Sequence, residues 1–268
     1  KDMLKSSNSF RYIEFFGAPG VGKSTLFNNF ISNNKIWIDS NSAKNSFLKN
    51  MLFRQYGSLK VLLLRIGFLT PFLSKLLYKS MAPSIDKMLI DNFISKYKGF
   101  FQDANSTILN SNSTENRKIM ASRMLLNSMK DYSLFDLTDS TSCILTDESF
   151  CQRVYTQLSE FDDADESDIV KEYLDKIPLP NGVVYIESSS EKIMERVLKR
   201  YRETGQMNYM HQNLSDEKLL ARCNRYRKYA KLGIEVIADK GVPILVINNN
   251  NLKKNISMVR DFIESQHG

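Results

Sequence analysis

The sequence predicts an α/β fold built on a five-stranded parallel sheet flanked by helices. Three observations point there. An apolar strand runs into a glycine-rich loop and then a helix; short apolar runs alternate with helical stretches; one long interval shows helical spacing alone.

Tyr12-Ile13-Glu14-Phe15-Phe16 reads as a buried strand, and Ser24 to Ile31 continues with helical character. Further strands are expected at Lys35 to Ile38, Cys143 to Thr146, Val183 to Ile186 and Pro243 to Ile247, each a short apolar or β-branched run between polar residues. Glu191 to Arg202 is expected to be helical on the spacing of Ile193, Val197, Leu198 and Tyr201. Asp216 to Ala238 follows the same rule through Leu219, Leu220, Cys223, Tyr226 and Ala230. Residues 40–135 carry no strand pattern, and Ile85, Leu89, Phe93, Tyr97 and Phe100 recur at helical spacing, which predicts a large helical insert beside the sheet.

With 268 residues, 42% of them hydrophobic, the chain can bury one substantial core, so a single domain over 1–268 is expected. Glycine and proline are scarce, at 11 and 6, and nothing before the Asn-rich stretch 248–251 resembles a flexible linker. The net charge of +7 suits an anionic partner without choosing among ATP, a phosphorylated acceptor, nucleic acid and an anionic membrane. The lysines are scattered rather than striped, so nucleic acid is not expected. Three cysteines, Cys143, Cys151 and Cys223, are an odd number without metal-ligand spacing, which fits a reducing cytoplasm better than a disulfide framework or a zinc site. No basic-then-apolar leader stands at Lys1, although a leader removed upstream of this numbering would leave the same start.

The most apolar window, Leu59 to Met81, fails as a membrane span because Lys60, Arg65, Lys75 and Lys79 interrupt it and Pro71 breaks it. A buried helix pair is expected there. A basic amphipathic surface in peripheral contact with a membrane is the alternative.

Gly17-Ala18-Pro19-Gly20-Val21-Gly22-Lys23-Ser24-Thr25 matches G-x-x-x-x-G-K-[ST] in full, between a strand and a helix. Glycines at 17, 20 and 22 let successive backbone N–H groups converge on a phosphate. Lys23 supplies charge to the β- and γ-phosphates, the Ser24 hydroxyl is placed to ligate Mg²⁺, and the helix turns its positive end to the anion. The segment resembles the phosphate loop of the P-loop NTPases, and the resemblance implies binding of a nucleoside triphosphate, with ATP and Mg²⁺ as cofactors. Lys23 is expected to face the phosphates rather than the core.

Phosphoryl transfer also needs a metal-holding carboxylate and cations on the transferring group. Ser142 to Ser149 is an apolar strand ending in Asp147 and Glu148, either of which is expected to hold Mg²⁺, through water; two solvated carboxylates at a strand end are the plainer alternative. Glu195 to Glu203 sets Arg196 and Arg200 four residues apart on one helix face, with Arg202 at the helix exit. These arginines suit a lid over the phosphates, residues 191–214, because a planar guanidinium matches the dispersed charge of a moving phosphoryl group. A solvated basic face is the alternative.

In this order of motifs the chain resembles the P-loop nucleoside and nucleotide kinases, especially the deoxynucleoside kinase and thymidylate kinase group. The resemblance rests on Gly17 to Thr25, then Leu145-Thr146-Asp147-Glu148-Ser149 where that family carries an acidic-Arg motif, then Val183 to Ile186 leading into the arginine-rich stretch, a long helix and a final strand. It covers most of the chain outside about 40–135. It implies Mg-ATP as donor and an acceptor pocket built from helices between the second and third strands. Two departures stand out: Glu148 and Ser149 occupy the position of the family's arginine, with Arg153 further along, and the family's acidic general base corresponds to Asp39, which reads equally well as a helix cap.

The insert supplies Arg117, Arg123, Phe93, Tyr97, Phe100 and Phe101, which suit an aromatic or phosphorylated acceptor or, alternatively, a packed core. The expected function is a small-molecule kinase moving the γ-phosphoryl group of ATP to a hydroxyl or phosphate of a nucleoside- or nucleotide-like acceptor. A sugar, glycolipid or polysaccharide hydroxyl is the alternative acceptor, and a regulatory NTPase the alternative class. No Asn-Lys-x-Asp follows a late strand to read guanine, and the chain is short for an AAA-type motor. His211, expected at a mobile lid tip within Gly205 to Leu214, and His267, in the tail, join no hydrolase constellation. A homodimer stays open.

Overall fold

A computed structural model describes residues 11–31, 37–40, 42–43, 47, 70–137, 143–160, 165–207, 209–212, 214–248 and 251–267. Strands β1 (Tyr12–Phe16), β2 (Trp37–Asp39), β3 (Cys143–Thr146), β4 (Gly182–Glu187) and β5 (Ile244–Asn248) form one sheet in the order β2-β3-β1-β4-β5. Every pairing is parallel. The five-stranded α/β class read from the sequence is the class observed. Every residue of β1 and β3 is buried, because helices cover both faces of a parallel sheet. β5 ends one residue past its expected limit and lies at an edge, where Val246 is half exposed.

The register sets the carboxyl ends of β1 and β3 side by side, with Glu14 opposite Thr146. In sheets of this kind ligands gather at that end, where the chain leaves neighbouring strands in opposite directions.

The helices are α1 (Lys23–Phe30), α2 (Thr70–Asn110), α3 (Glu115–Leu137), α4 (Val154–Gln157), α5 (Ser167–Lys176), α6 (Ser190–Thr204), α7 (Asp216–Asp239) and α8 (Leu252–His267). Helix α6 opens on Ser189, whose hydroxyl accepts from the Lys192 amide. It closes on Gly205, at φ +66, whose N–H donates to Tyr201 O at 2.8 Å. Helix α7 opens in the same way on Ser215.

Within the interval 40–135 the described residues form α2 and α3, with a break in α2 at Tyr97 (φ −129, ψ 38). Its aromatic residues belong to the core. Phe93 is fully buried and stacks on Phe150 at 5.3 Å, Phe100 meets Phe150 edge-on, and the Tyr97 hydroxyl lies 2.9 Å from that of Tyr132. These contacts tie the insert to the turn after β3. Arg117 is likewise buried, donating to Leu158 O at 3.4 Å. The aromatic residues and Arg117 therefore serve packing, the core reading of a stripe at helical spacing, while Arg123 is exposed.

The apolar window Leu59 to Met81 lies outside the residues whose side chains are described. Among the described residues, no helix is long and apolar enough to cross a membrane. Cys143, Cys151 and Cys223 are buried free thiols.

Candidate functional site

The loop after β1 is wedged between β4 and α6, and two of its glycines are dictated by that wedge. At Gly17 (φ +154) a Cβ would stand 2.6 Å from Ile186 O on β4. At Gly20 (φ +88) it would stand 2.7 Å from Cγ2 of Val197 on α6. Ala18 and Val21 turn their side chains into the core, while Pro19, Gly20, Gly22, Lys23, Ser24 and Thr25 border a cavity of about 380 Å³. Helix α1 begins at Lys23 with no acidic residue in its first turn, so its free amides and dipole face that cavity uncompensated.

Lys23 is only 8% exposed, contrary to its expected posture. Its ammonium folds back along the loop, donating to Gly17 O at 2.9 Å and Ala18 O at 3.4 Å. Burial lowers its pKa to about 8, while Glu148, Asp147 and Glu14 pull the other way. Gln152 completes the bracket. Its amide orientation, assigned from hydrogen-bond chemistry, has the nitrogen donating to Gly17 O at 3.1 Å and the oxygen accepting from Lys23 Nζ at 3.2 Å.

Beyond β3, Asp147 and Glu148 point to different work. The Ser24 hydroxyl donates to Asp147 Oδ2 at 3.2 Å. Burial raises the Asp147 pKa and the neighbouring Glu148 adds to the rise, with the Ser24 bond opposing both. Among the described residues no cluster of three His, Cys, Asp or Glu forms a protein-only metal cage. The pair of one hydroxyl and one carboxylate fits Mg²⁺, which keeps several waters and takes its remaining oxygens from substrate phosphates. Glu148 lines the cavity and pairs with Arg153 Nη2 at 3.1 Å, while Arg153 Nε donates to Ser128 Oγ on α3 at 2.9 Å. Arg153 thus borders the cavity, fixed from two sides.

The turn carrying these groups is held by Glu14, in the middle of β1. Its fully buried carboxylate accepts the amides of Ser149 (2.9 Å), Cys151 (3.1 Å) and Gln152 (2.8 Å). Burial raises its pKa, and the three amides oppose that rise. A charge inside an apolar strand must be met by donors, so Glu14 was a legible signal that sequence reading passed over. Gln152 gave no such signal, because its role depends on the turn's geometry.

The arginines of α6 divide. Arg196 lines the cavity and donates to Val21 O at 2.8 Å and Ser188 Oγ at 3.3 Å, tying α6 to the phosphate loop. Arg200 is exposed and lines the cavity; Arg202 is exposed and lies outside its lining. Asp39, at the carboxyl end of β2, also lies outside the lining. It accepts from the Ser42 amide at 3.0 Å and the Ser42 hydroxyl at 2.6 Å, the geometry of a cap. His211, within the stretch Gly205 to Leu214, is 2% exposed and borders the cavity.

No protein-family model matches the chain, and no curated protein matches it in sequence. Among solved structures, the chain is similar to a deoxyadenosine kinase from M. mycoides, described with dCMP as product and a flexible dCDP bound. The two share 14% identity over 95% of this chain and 99% of that chain, with a TM-score of 0.39. A likeness at that score is loose and adds nothing to the chemistry of the site.

Proposed function

We propose that this protein is a Mg-ATP-dependent small-molecule kinase acting on a hydroxyl or phosphate of a nucleoside-like acceptor. The observation that carries the reading is convergence: the phosphate loop, Glu148 and the cations Lys23, Arg153, Arg196 and Arg200 meet around one cavity, and Ser24 in its lining reaches Asp147, outside the lining, at 3.2 Å.

In this reading the loop amides and the α1 N-terminus bind the β-phosphate, and Lys23 leaves its carbonyl partners to neutralise the β- and γ-oxygens. Ser24 and Asp147 would hold Mg²⁺, whose charge stabilises the phosphate oxygens when it is bound. The acceptor oxygen forms its bond to the γ-phosphorus as the bond to the β–γ bridging oxygen breaks, and the electron pair leaves with ADP. A hydroxyl acceptor gives its proton to Glu148, the carboxylate that borders the cavity. Arg153 and Arg200 meet the equatorial oxygens of the moving group.

The test is Mg-ATP consumption against deoxynucleosides, their 5′-monophosphates and simple sugars. The kinase reading predicts slow turnover alone and a rise of at least about a hundredfold with one acceptor class, an increment within reach of positioning alone. Slow turnover indifferent to every acceptor contradicts it and favours a regulatory NTPase.

A further inference from the structure

The resting loop supplies an acceptor for each of the three N–H donors of Lys23. Its ammonium donates to Gly17 O at 2.9 Å and Ala18 O at 3.4 Å, and the third acceptor, at 3.2 Å, is the side-chain oxygen of Gln152. To meet a phosphate the ammonium must give up at least part of that set. Gly17 and Ala18 are buried, and a buried carbonyl left bare by the departure would oppose it.

Neither carbonyl is left bare. Ala18 O also accepts the Val21 amide at 3.1 Å, and Gly17 O also accepts the Gln152 side-chain nitrogen at 3.1 Å. The second of these bonds comes from outside the loop. Gln152 stands on the turn after β3, borders the cavity, and is anchored through its own backbone amide to the Glu14 carboxylate at 2.8 Å. One planar head therefore faces the ammonium with its oxygen and the Gly17 carbonyl with its nitrogen. A carboxylate of the same shape would grip the ammonium as a charge and set an oxygen against Gly17 O, and an aliphatic side chain of the same length would serve neither group.

We propose that Gln152 is the positioning residue of Lys23, holding the ammonium in the empty loop and keeping Gly17 O bonded when the ammonium swings to a phosphate. This inference rests on the kinase reading, in which Lys23 leaves its carbonyl partners for the β- and γ-oxygens, and deepens it by naming the residue that eases the departure. Gln152 acts through Lys23 and Gly17 rather than on the phosphates. Were the same contacts only a fixed strut joining loop and turn, Gln152 would matter whether or not Lys23 is present.

Calorimetry of Mg-ATP binding to four proteins separates the two roles: the parent, Gln152→Met, Lys23→Met and the double variant, each verified as folded by circular dichroism. Methionine keeps the length of glutamine and removes its polar head. In the parent background Gln152→Met is expected to weaken Mg-ATP about tenfold, the scale of one hydrogen bond to a charged group. In the Lys23→Met background the same change should weaken it less than about twofold, so that the two substitutions are strongly non-additive. Gln152→Leu repeats the cycle should methionine disturb the turn. Gln152→Glu, which loses the donor to Gly17 O and adds charge to the grip on Lys23, should bind Mg-ATP no better than Gln152→Met. Equal losses in both backgrounds make Gln152 a strut and overturn the proposal, as does parent-like affinity in Gln152→Met or Gln152→Glu. Coupling between Lys23 and Gln152 beside turnover indifferent to every acceptor is the failure of the kinase reading alone. Absent Mg-ATP binding by the folded parent is the failure of the nucleotide site, and of this inference with it.

Discussion

The buried carboxylate of Glu14 accepts the Gln152 amide at 2.8 Å, and through that bond the strand leading into the phosphate loop also fixes the turn after β3. Because the Gln152 side chain reaches back to Gly17 O and Lys23 Nζ, the two segments form a closed bracket around the ammonium group. Glu14→Ala leaves three amides of the turn without acceptors. The expected cost is about 3 kcal/mol, or roughly 6–12 °C in Tm. Glu14→Gln keeps one acceptor oxygen and should fall between that variant and the parent. Thermal unfolding checks both, and an unchanged Tm in Glu14→Ala would show that the turn does not depend on the carboxylate.

Lys23 should trade stability for function. Burial lowers its pKa from 10.5 to about 8, so between those values the unfolded chain binds more protons than the folded one. The penalty is fully present below pH 8 and is relieved as pH rises towards 10.5. Lys23→Met is therefore expected to fold with a Tm at or above the parent's at pH 7, with the difference shrinking as pH rises, while losing at least about a hundredfold in turnover. Denaturant melts across pH 7–10 beside an ATPase assay read both effects. A variant that keeps its turnover contradicts the role given to the ammonium.

Arg153 and Arg200 should differ from Arg196. All three border the cavity, but Arg153 and Arg200 are the pair assigned to the moving phosphoryl group, and alanine at either is expected to lower kcat by roughly a hundredfold while changing ATP affinity by less than about fivefold. Arg196 is spent on Val21 O and Ser188 Oγ, so Arg196→Ala should loosen the loop and weaken ATP binding together with turnover. Steady-state kinetics separate the classes; equal loss of kcat and ATP affinity at Arg153 would move it to the structural class.

Gly20→Ala tests the wedge between the loop and α6. The added Cβ would meet Val197 Cγ2 at 2.7 Å and Ile193 Cγ2 at 3.2 Å, at a φ of +88 that disfavours any side chain. A cost of about 1–3 kcal/mol is expected, with a matching fall in Tm, and nucleotide affinity should drop more than tenfold as the loop is pushed away from α6. Binding and stability unchanged would mean that α6 yields freely.

Much of this was legible because the strands are short buried runs, so that β1, β3, β4 and β5 announced themselves by apolar residues between polar ones. The loop motif was legible because its spacing is local. What escaped was long-range. Lys23 was expected to face the cavity openly, but its posture depends on Gln152, which arrives from across the sheet. Glu14 carried a local sign, a carboxylate among aromatic residues, yet its partners lie on the turn after another strand. His211 looked like part of a polar loop, yet it is buried and packs against Tyr226 of α7. The aromatic residues of the insert displayed helical spacing, a pattern that reports a buried face without saying whether it meets substrate or core.

The most direct test is a calorimetric titration of Mg-ATP into the parent and Lys23→Met proteins, both verified as folded, near pH 7. Saturable one-site heat in the parent, weakened at least about tenfold in the variant, is the predicted result. No heat in the folded parent, or equal binding by the two proteins, would contradict the claim that residues 17–25 grip a polyphosphate.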